Sequence, residues 1–63
     1  MNGKTWAEEV DEIIKATGLP MRQVAEKLDI PYRTIQDWKY GKRIPDNFTK
    51  RAFRIFAGEL KNR

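Results

Sequence analysis

The chain has 63 residues, enough for one domain, and it contains neither cysteine nor histidine. This composition excludes disulfides and argues against a structural zinc site or a catalytic centre built on either residue. The formal net charge of +4 is uneven: residues 1–31 carry four basic and six acidic side chains, and residues 32–63 carry nine basic and three acidic. Such asymmetry is typical of a protein that presents one face to phosphate, although a merely solvated basic surface would look the same.

The first predicted helix begins at a capping box, Thr5-Trp6-Ala7-Glu8, in which hydroxyl and carboxylate each accept from the other residue's amide. Its apolar stripe consists of Trp6, Val10, Ile13, Ile14 and Thr17, and its acidic residues lie elsewhere on the helix. Gly18 is placed to end this helix in the left-handed conformation.

Two short helices follow, predicted over about residues 20–28 and 31–40. Asp29-Ile30-Pro31 separates them, because a residue before proline is pushed out of the helical region. Gly41 ends the second of them, and Lys42-Arg43-Ile44-Pro45 forms a basic loop. Asp46 or Asn47 then caps a last helix with apolar side chains at Phe48, Ala52, Phe53, Ile55, Phe56 and Leu60.

These elements predict one all-α domain over residues 1–63, built from four to five short helices. No apolar run approaches the roughly 20 residues that span a bilayer, and the first residues lack an apolar signal core. We therefore expect a cytoplasmic protein with no membrane association.

The segment from Met21 to Tyr40 has the sequence logic of a helix-turn-helix. The small residue Ala25 would let the two helices approach, and apolar side chains at suitable spacing would fill the wedge between them, namely Val24, Leu28, Ile30, Ile35 and Trp38. In this motif the second helix is held outward so that it can reach the major groove of DNA.

The stretch Met21–Pro45 resembles the phage-repressor-like family, also called Cro/CI or XRE. The most specific part is Thr34-Ile35, Trp38, Gly41-Lys42-Arg43 and Pro45. The resemblance implies a lambda-repressor-like domain that acts as a sequence-specific transcriptional regulator in bacteria or phages. A Cro-like repressor and an antitoxin-like autoregulator both fit, and members commonly bind pseudo-palindromic double-stranded operators as homodimers.

Two positions depart from the family pattern. Asp29 stands where the family turn usually has glycine, and aspartate tolerates the left-handed region better than most residues. Pro20-Met21 stands where the family often has a hydroxyl residue that contacts phosphate. We therefore expect Arg22, Gln23 or backbone amides to bind the DNA backbone at this end.

Four outward residues of the second short helix are predicted to read bases: Tyr32, Arg33, Gln36 and Asp37. Arg33 suits a bidentate contact to guanine and Gln36 a contact to adenine. Asp37 would accept from a cytosine amine or orient Arg33 one turn away, and Tyr32 would touch a thymine methyl or a phosphate. Equally, Arg33 and Asp37 could form a plain surface ion pair, and Gln36 could be a solvated helix residue.

The resemblance implies DNA-backbone contacts for Lys39, Tyr40, Lys42 and Arg43, which would set affinity and its salt dependence. The two tyrosines could instead pack at the domain edge. Phe56 and Leu60 are candidates for a dimer contact, because the last helix carries more aromatic surface than it needs to bury.

A different function class stays open: a protein-interaction module on the same scaffold, such as a phage-encoded inhibitor or accessory factor. Asp37 on the reading face and the aromatic last helix favour it modestly. An enzyme is not expected, because the chain has no glycine-rich phosphate loop and is too short to enclose a substrate pocket. We expect no metal, cofactor or small-molecule substrate.

Overall fold

The computed structural model of the protein describes residues 4–61, and these form four helices joined by short connections. The helices are α1 (Trp6–Thr17), α2 (Met21–Leu28), α3 (Tyr32–Lys39) and α4 (Asn47–Lys61). No strand occurs within this range, so the all-α prediction is confirmed with four helices. The predicted bounds of 20–28 and 31–40 were slightly wide, because Pro20, Pro31 and Tyr40 are capping residues outside the helices.

The predicted signals at both ends of α1 are confirmed. The Thr5 hydroxyl accepts from the Glu8 amide at 3.1 Å, and the Thr5 amide donates to the Glu8 carboxylate at 3.0 Å. Gly18 follows the helix with φ of 73°, and its amide donates to the Lys15 carbonyl. Asp46 caps the start of α4 as Thr5 caps the start of α1, because its carboxylate accepts from the Thr49 amide at 2.9 Å.

Side chains from all four helices build one core. Three aromatic rings lie at its centre: Trp6, Trp38 and Phe53 pack edge to face, with ring centroids 5.4–5.8 Å apart. Such pairs add to the stabilisation that comes from burial. The other buried residues are Val10, Ile14, Val24, Ala25, Ile35 and Ala57. Both tryptophans and the wedge residue Ala25 are therefore in the core, as predicted.

A Schellman motif closes α2 and turns the chain into α3. The Ile30 amide donates to the Ala25 carbonyl at 2.9 Å, and the Asp29 amide donates to the Glu26 carbonyl at 3.2 Å. Asp29 has φ of 57°, which is the left-handed conformation expected at this position. The half-buried Ile30 then packs against the core.

Asp29→Gly is expected to raise the free energy of unfolding by up to about 1 kcal/mol, because glycine adopts positive φ without a steric cost. Asp29→Val should lower it by about 1–2 kcal/mol, because a branched Cβ clashes in that region. Urea unfolding of the three proteins measures both changes. A glycine variant less stable than the wild type would contradict the strain assigned to Asp29.

An ion pair at the surface links α1 to α4. The Arg54 guanidinium donates to both carboxylate oxygens of Glu9, with Nη2 at 3.0 Å from Oε1. This hydrogen bond lowers the pKa of Glu9 against the opposing effect of burial. A lowered folded-state pKa means that the pair stabilises the fold above the ordinary glutamate pKa, and that this contribution is lost as the pH falls.

None of the helices within residues 4–61 is long and apolar enough to cross a membrane.

Candidate nucleic-acid interface

The α3 helix is held by one face and exposed on the other. Ile35 is fully buried and Trp38 is 4 % exposed, so both lie in the core. The residues at relative positions i, i+3, i+4 and i+7 on the other face are Arg33, Gln36, Asp37 and Tyr40, which we call the α3 ridge. Arg33 and Tyr40 are exposed, whereas Gln36 and Asp37 are half-buried. Three of the four predicted base-reading residues thus share one accessible surface.

Tyr32 lies at the edge of this surface. Its side chain is half-buried and packs against the core. The Arg22 guanidinium carbon lies 4.5 Å from the centroid of the Tyr32 ring, in cation–π geometry. The contact joins the start of α2 to the start of α3. Tyr32 therefore helps to fix the two helices relative to each other, and one face of its ring is covered.

A second Schellman motif leads from α3 into the basic loop, Lys42-Arg43-Ile44-Pro45. Gly41 has φ of 76°, its amide donates to the Trp38 carbonyl, and the Lys42 amide donates to the Asp37 carbonyl at 2.8 Å. The Arg43 amide donates to the same carbonyl at 3.3 Å. The backbone of Asp37 thus holds the two basic residues of the loop beside the end of the α3 ridge.

The carboxylate of Asp37 does not have the partner that the sequence suggested. Its Oδ2 lies 3.7 Å from Arg43 Nε, whereas Arg33 forms no ion pair among the described residues. Neither the orientation of Arg33 by Asp37 nor a surface pair between them is therefore present among the described residues. The reason is the Gly41 turn, which folds the loop back over the last turn of α3.

Lys39 lies apart from the ridge. Its Nζ is 3.7 Å from Asp11 Oδ1 on α1, and the same carboxylate is 3.1 Å from Lys15 Nζ. The hydrogen bond from Lys15, together with the nearby Lys39, lowers the pKa of Asp11. Lys39 was predicted to contact the DNA backbone, but the structure directs its ammonium toward α1, because position 39 is on the side of α3 that faces this helix.

The remaining predicted backbone contacts are accessible. Arg22, Gln23, Lys42 and Arg43 are exposed, as is Tyr40 at 67 %. The α2 helix begins without a side-chain cap at Pro20. Its first amides therefore have no side-chain acceptor at the positive end of the helix dipole, where an anion is favoured.

The acidic residues of α1 are largely neutralised by neighbours. Glu9 pairs with Arg54, Asp11 with Lys15 and Lys39, and Glu12 with Lys4. Glu8 is occupied in the capping box. Within residues 4–61, no group of three acidic side chains is arranged to hold a metal ion. The positive charge of the basic loop is therefore not opposed by an unpaired acidic cluster on α1.

No protein-family model, no curated protein and no solved structure matches the chain.

Proposed function

We propose that this protein is a sequence-specific double-stranded DNA-binding regulator of the phage-repressor-like kind, acting in the cytoplasm of a prokaryote or in phage infection. One observation carries the proposal. A polar, accessible ridge on α3 is fixed from behind by Ile35 and Trp38, and a hydrogen-bonded basic loop adjoins its end.

In this proposal the α3 ridge lies in the major groove, which admits a single helix. Arg33 stands near the start of α3 and is fully available to donate two hydrogen bonds to a guanine edge. Gln36, one turn further along, would donate to and accept from adenine. Because the buried residues Ile35 and Trp38 fix α3, the backbone that carries Arg33 and Gln36 is positioned before DNA binds. This lowers the entropy cost of recognition.

The DNA backbone would be contacted near both ends of α3. Lys42 and Arg43 are held beside its C-terminal end by the Asp37 carbonyl. Arg22 lies over the Tyr32 ring at the start of α3, and Gln23 and the first amides of α2 adjoin it in sequence. Contacts of this kind set position and affinity and carry no sequence information of their own.

Asp37 is compatible with a surface that binds polyanions because Arg43 offsets its charge. A carboxylate alone on this face would be repelled by phosphate, which favoured a protein partner when the sequence was considered alone. The pair of Asp37 with Arg43, at 3.7 Å, offsets most of this repulsion. The same pair limits Arg43, so Lys42 is the basic-loop residue whose ammonium is available to phosphate.

Selection of duplexes from a random pool by the purified protein tests the proposal. We expect enrichment of a pseudo-palindromic sequence whose half-sites contain a guanine contacted by Arg33. Half-sites centred about one helical turn apart would indicate two reading helices about 34 Å apart. A pool that shows no enrichment at low salt would contradict the proposal and favour a protein-binding module.

Lys42→Ala is expected to weaken binding to every duplex and to flatten the salt dependence, because one phosphate contact is lost. The slope of log K against log salt should fall in magnitude by about 0.9 per contact removed. Fluorescence anisotropy over a range of salt concentrations measures it. Lys27→Ala is the matched control. Lys27 is also an exposed lysine, but it lines a cleft with Leu19 and Leu60, which belong neither to α3 nor to the basic loop. If both variants lost the same slope, the contact assigned to Lys42 would be wrong.

A further inference from the structure

Asp37 connects the α3 ridge to the basic loop through both its backbone and its side chain. Its carbonyl oxygen accepts from the amides of Lys42 and Arg43, at 2.8 and 3.3 Å, and its carboxylate lies 3.7 Å from Arg43 Nε. The backbone hydrogen bonds hold the loop whether or not the two side chains are in contact. The arginine side chain can therefore leave the carboxylate while the loop backbone stays in place.

The side-chain contact is weak, and its two members differ in exposure. At 3.7 Å the pair is an ionic contact and not a hydrogen bond, so Arg43 fills none of the acceptor positions of the carboxylate. The Arg43 side chain is 76 % exposed, and that of Asp37 is 25 % exposed. A solvent-exposed ion pair contributes little free energy in water, so it is readily exchanged for another partner. Arg43 is the member that can move, because Asp37 stands on a helix fixed by the core.

We propose that the Asp37–Arg43 pair responds to the base that Asp37 meets. The carboxylate accepts a hydrogen bond from the exocyclic amine of a cytosine, and the Arg43 guanidinium then transfers to a DNA phosphate. Cytosine suits a carboxylate because it presents only a donor in the major groove, whereas adenine presents an acceptor beside its amine. A thymine at the same place presents the O4 acceptor, so the pair stays closed. This contact rests on the proposed DNA-binding function and extends it, since reading one base pair then controls one backbone contact.

The open and closed pairs neutralise different numbers of phosphates. In the closed state the charge of Arg43 is offset by Asp37, and in the open state it is offset by the DNA. A duplex with the cytosine therefore releases more counterions than one with thymine, and its slope of log K against log salt is steeper by about 0.9. Arg43 thus contributes to sequence discrimination although it touches no base.

Asp37→Ala identifies the base pair that Asp37 reads. In competition between the selected duplex and its single-pair variants, we expect the preference for C·G at one position of each half-site to fall about fivefold or more, because the acceptor is lost. The other positions should keep their wild-type preference. The duplex with that one pair changed to T·A is then the partner of the selected duplex in the salt titrations.

Fluorescence anisotropy over a range of salt concentrations measures the coupling on these two duplexes. The wild-type slopes should differ by about 0.9. Arg43→Ala should abolish the difference by lowering the slope on the selected duplex, because no guanidinium is left to transfer. Asp37→Asn should abolish it by raising the slope on the T·A duplex, because Arg43 is then free on both. Lys42→Ala is the matched control in the same loop, and it should lower both slopes equally and keep the difference.

The outcomes separate this coupling from the function on which it rests. Equal wild-type slopes, a slope difference that survives in Arg43→Ala, or an Asp37→Ala protein with the wild-type preference at every base pair would overturn the coupling and leave DNA binding intact. A chain that enriches no duplex would overturn the proposed function and the coupling together. None of the three substituted positions is buried, so circular dichroism should show unchanged helix content in every variant.

Discussion

Trp38→Ala is expected to remove a large part of the stability of the fold. Trp38 is 4 % exposed, and its ring packs against both Trp6 and Phe53 at 5.8 and 5.4 Å. Truncating a buried tryptophan to alanine costs about 3–5 kcal/mol. A domain of this size has a total stability of only about 3–9 kcal/mol. Far-UV circular dichroism against urea measures the loss, which should appear as a large fall in the urea midpoint relative to the wild type.

Two variants separate the effect of the ring from that of the position. Trp38→Phe should recover much of the stability, because a phenyl ring keeps part of the edge-to-face packing. Tyr40→Ala, two residues further along at a 67 % exposed position, should change the free energy of unfolding by less than about 0.5 kcal/mol. A Trp38→Ala protein with the wild-type urea midpoint would show that α3 is not fixed by its buried face.

Arg33→Ala is expected to remove most of the discrimination at one base pair of each half-site. A bidentate contact to guanine is worth about 1–3 kcal/mol of discrimination, which corresponds to roughly 5- to 150-fold in relative affinity. Stability should be unaffected, because Arg33 is exposed and has no ion-pair partner among the described residues. Competition between the selected duplex and its single-pair variants measures the ratio directly.

Arg33→Lys distinguishes shape from charge at this position. Lysine keeps the positive charge but lacks the planar fork that donates two parallel hydrogen bonds. We expect it to bind non-specific duplexes as the wild type does and to lose most of the discrimination. If Arg33→Ala kept the wild-type preference at every base pair, the base-reading role of Arg33 would be wrong.

The fold was largely predictable from local sequence signals. The capping box at Thr5, the left-handed residues Gly18 and Asp29, and the prolines before α2 and α3 mark helix ends through interactions within a few residues. Apolar periodicity then identified the buried faces, including Ile35 and Trp38. These features depend on chain geometry close to each residue, so they do not require knowledge of the tertiary structure.

The partners of the charged residues were not predictable in the same way. Asp37 can reach Arg33 along its helix, but the Gly41 turn brings Arg43 to it instead. Lys39 looks solvent-facing in sequence and reaches Asp11 only because α1 packs beside α3. Similarly, apolar residues occur on more than one face of α4, and tertiary packing decided that Phe53 is buried and Phe48 is exposed.

Amide chemical-shift mapping during titration with the selected duplex tests the central claim most directly. The largest changes should fall on residues 32–43, with a second group at the start of α2, and they should saturate at a defined stoichiometry. Changes concentrated on α1 or on the outer face of α4, with residues 32–37 unaffected, would contradict the assignment of α3 as the helix that reads DNA.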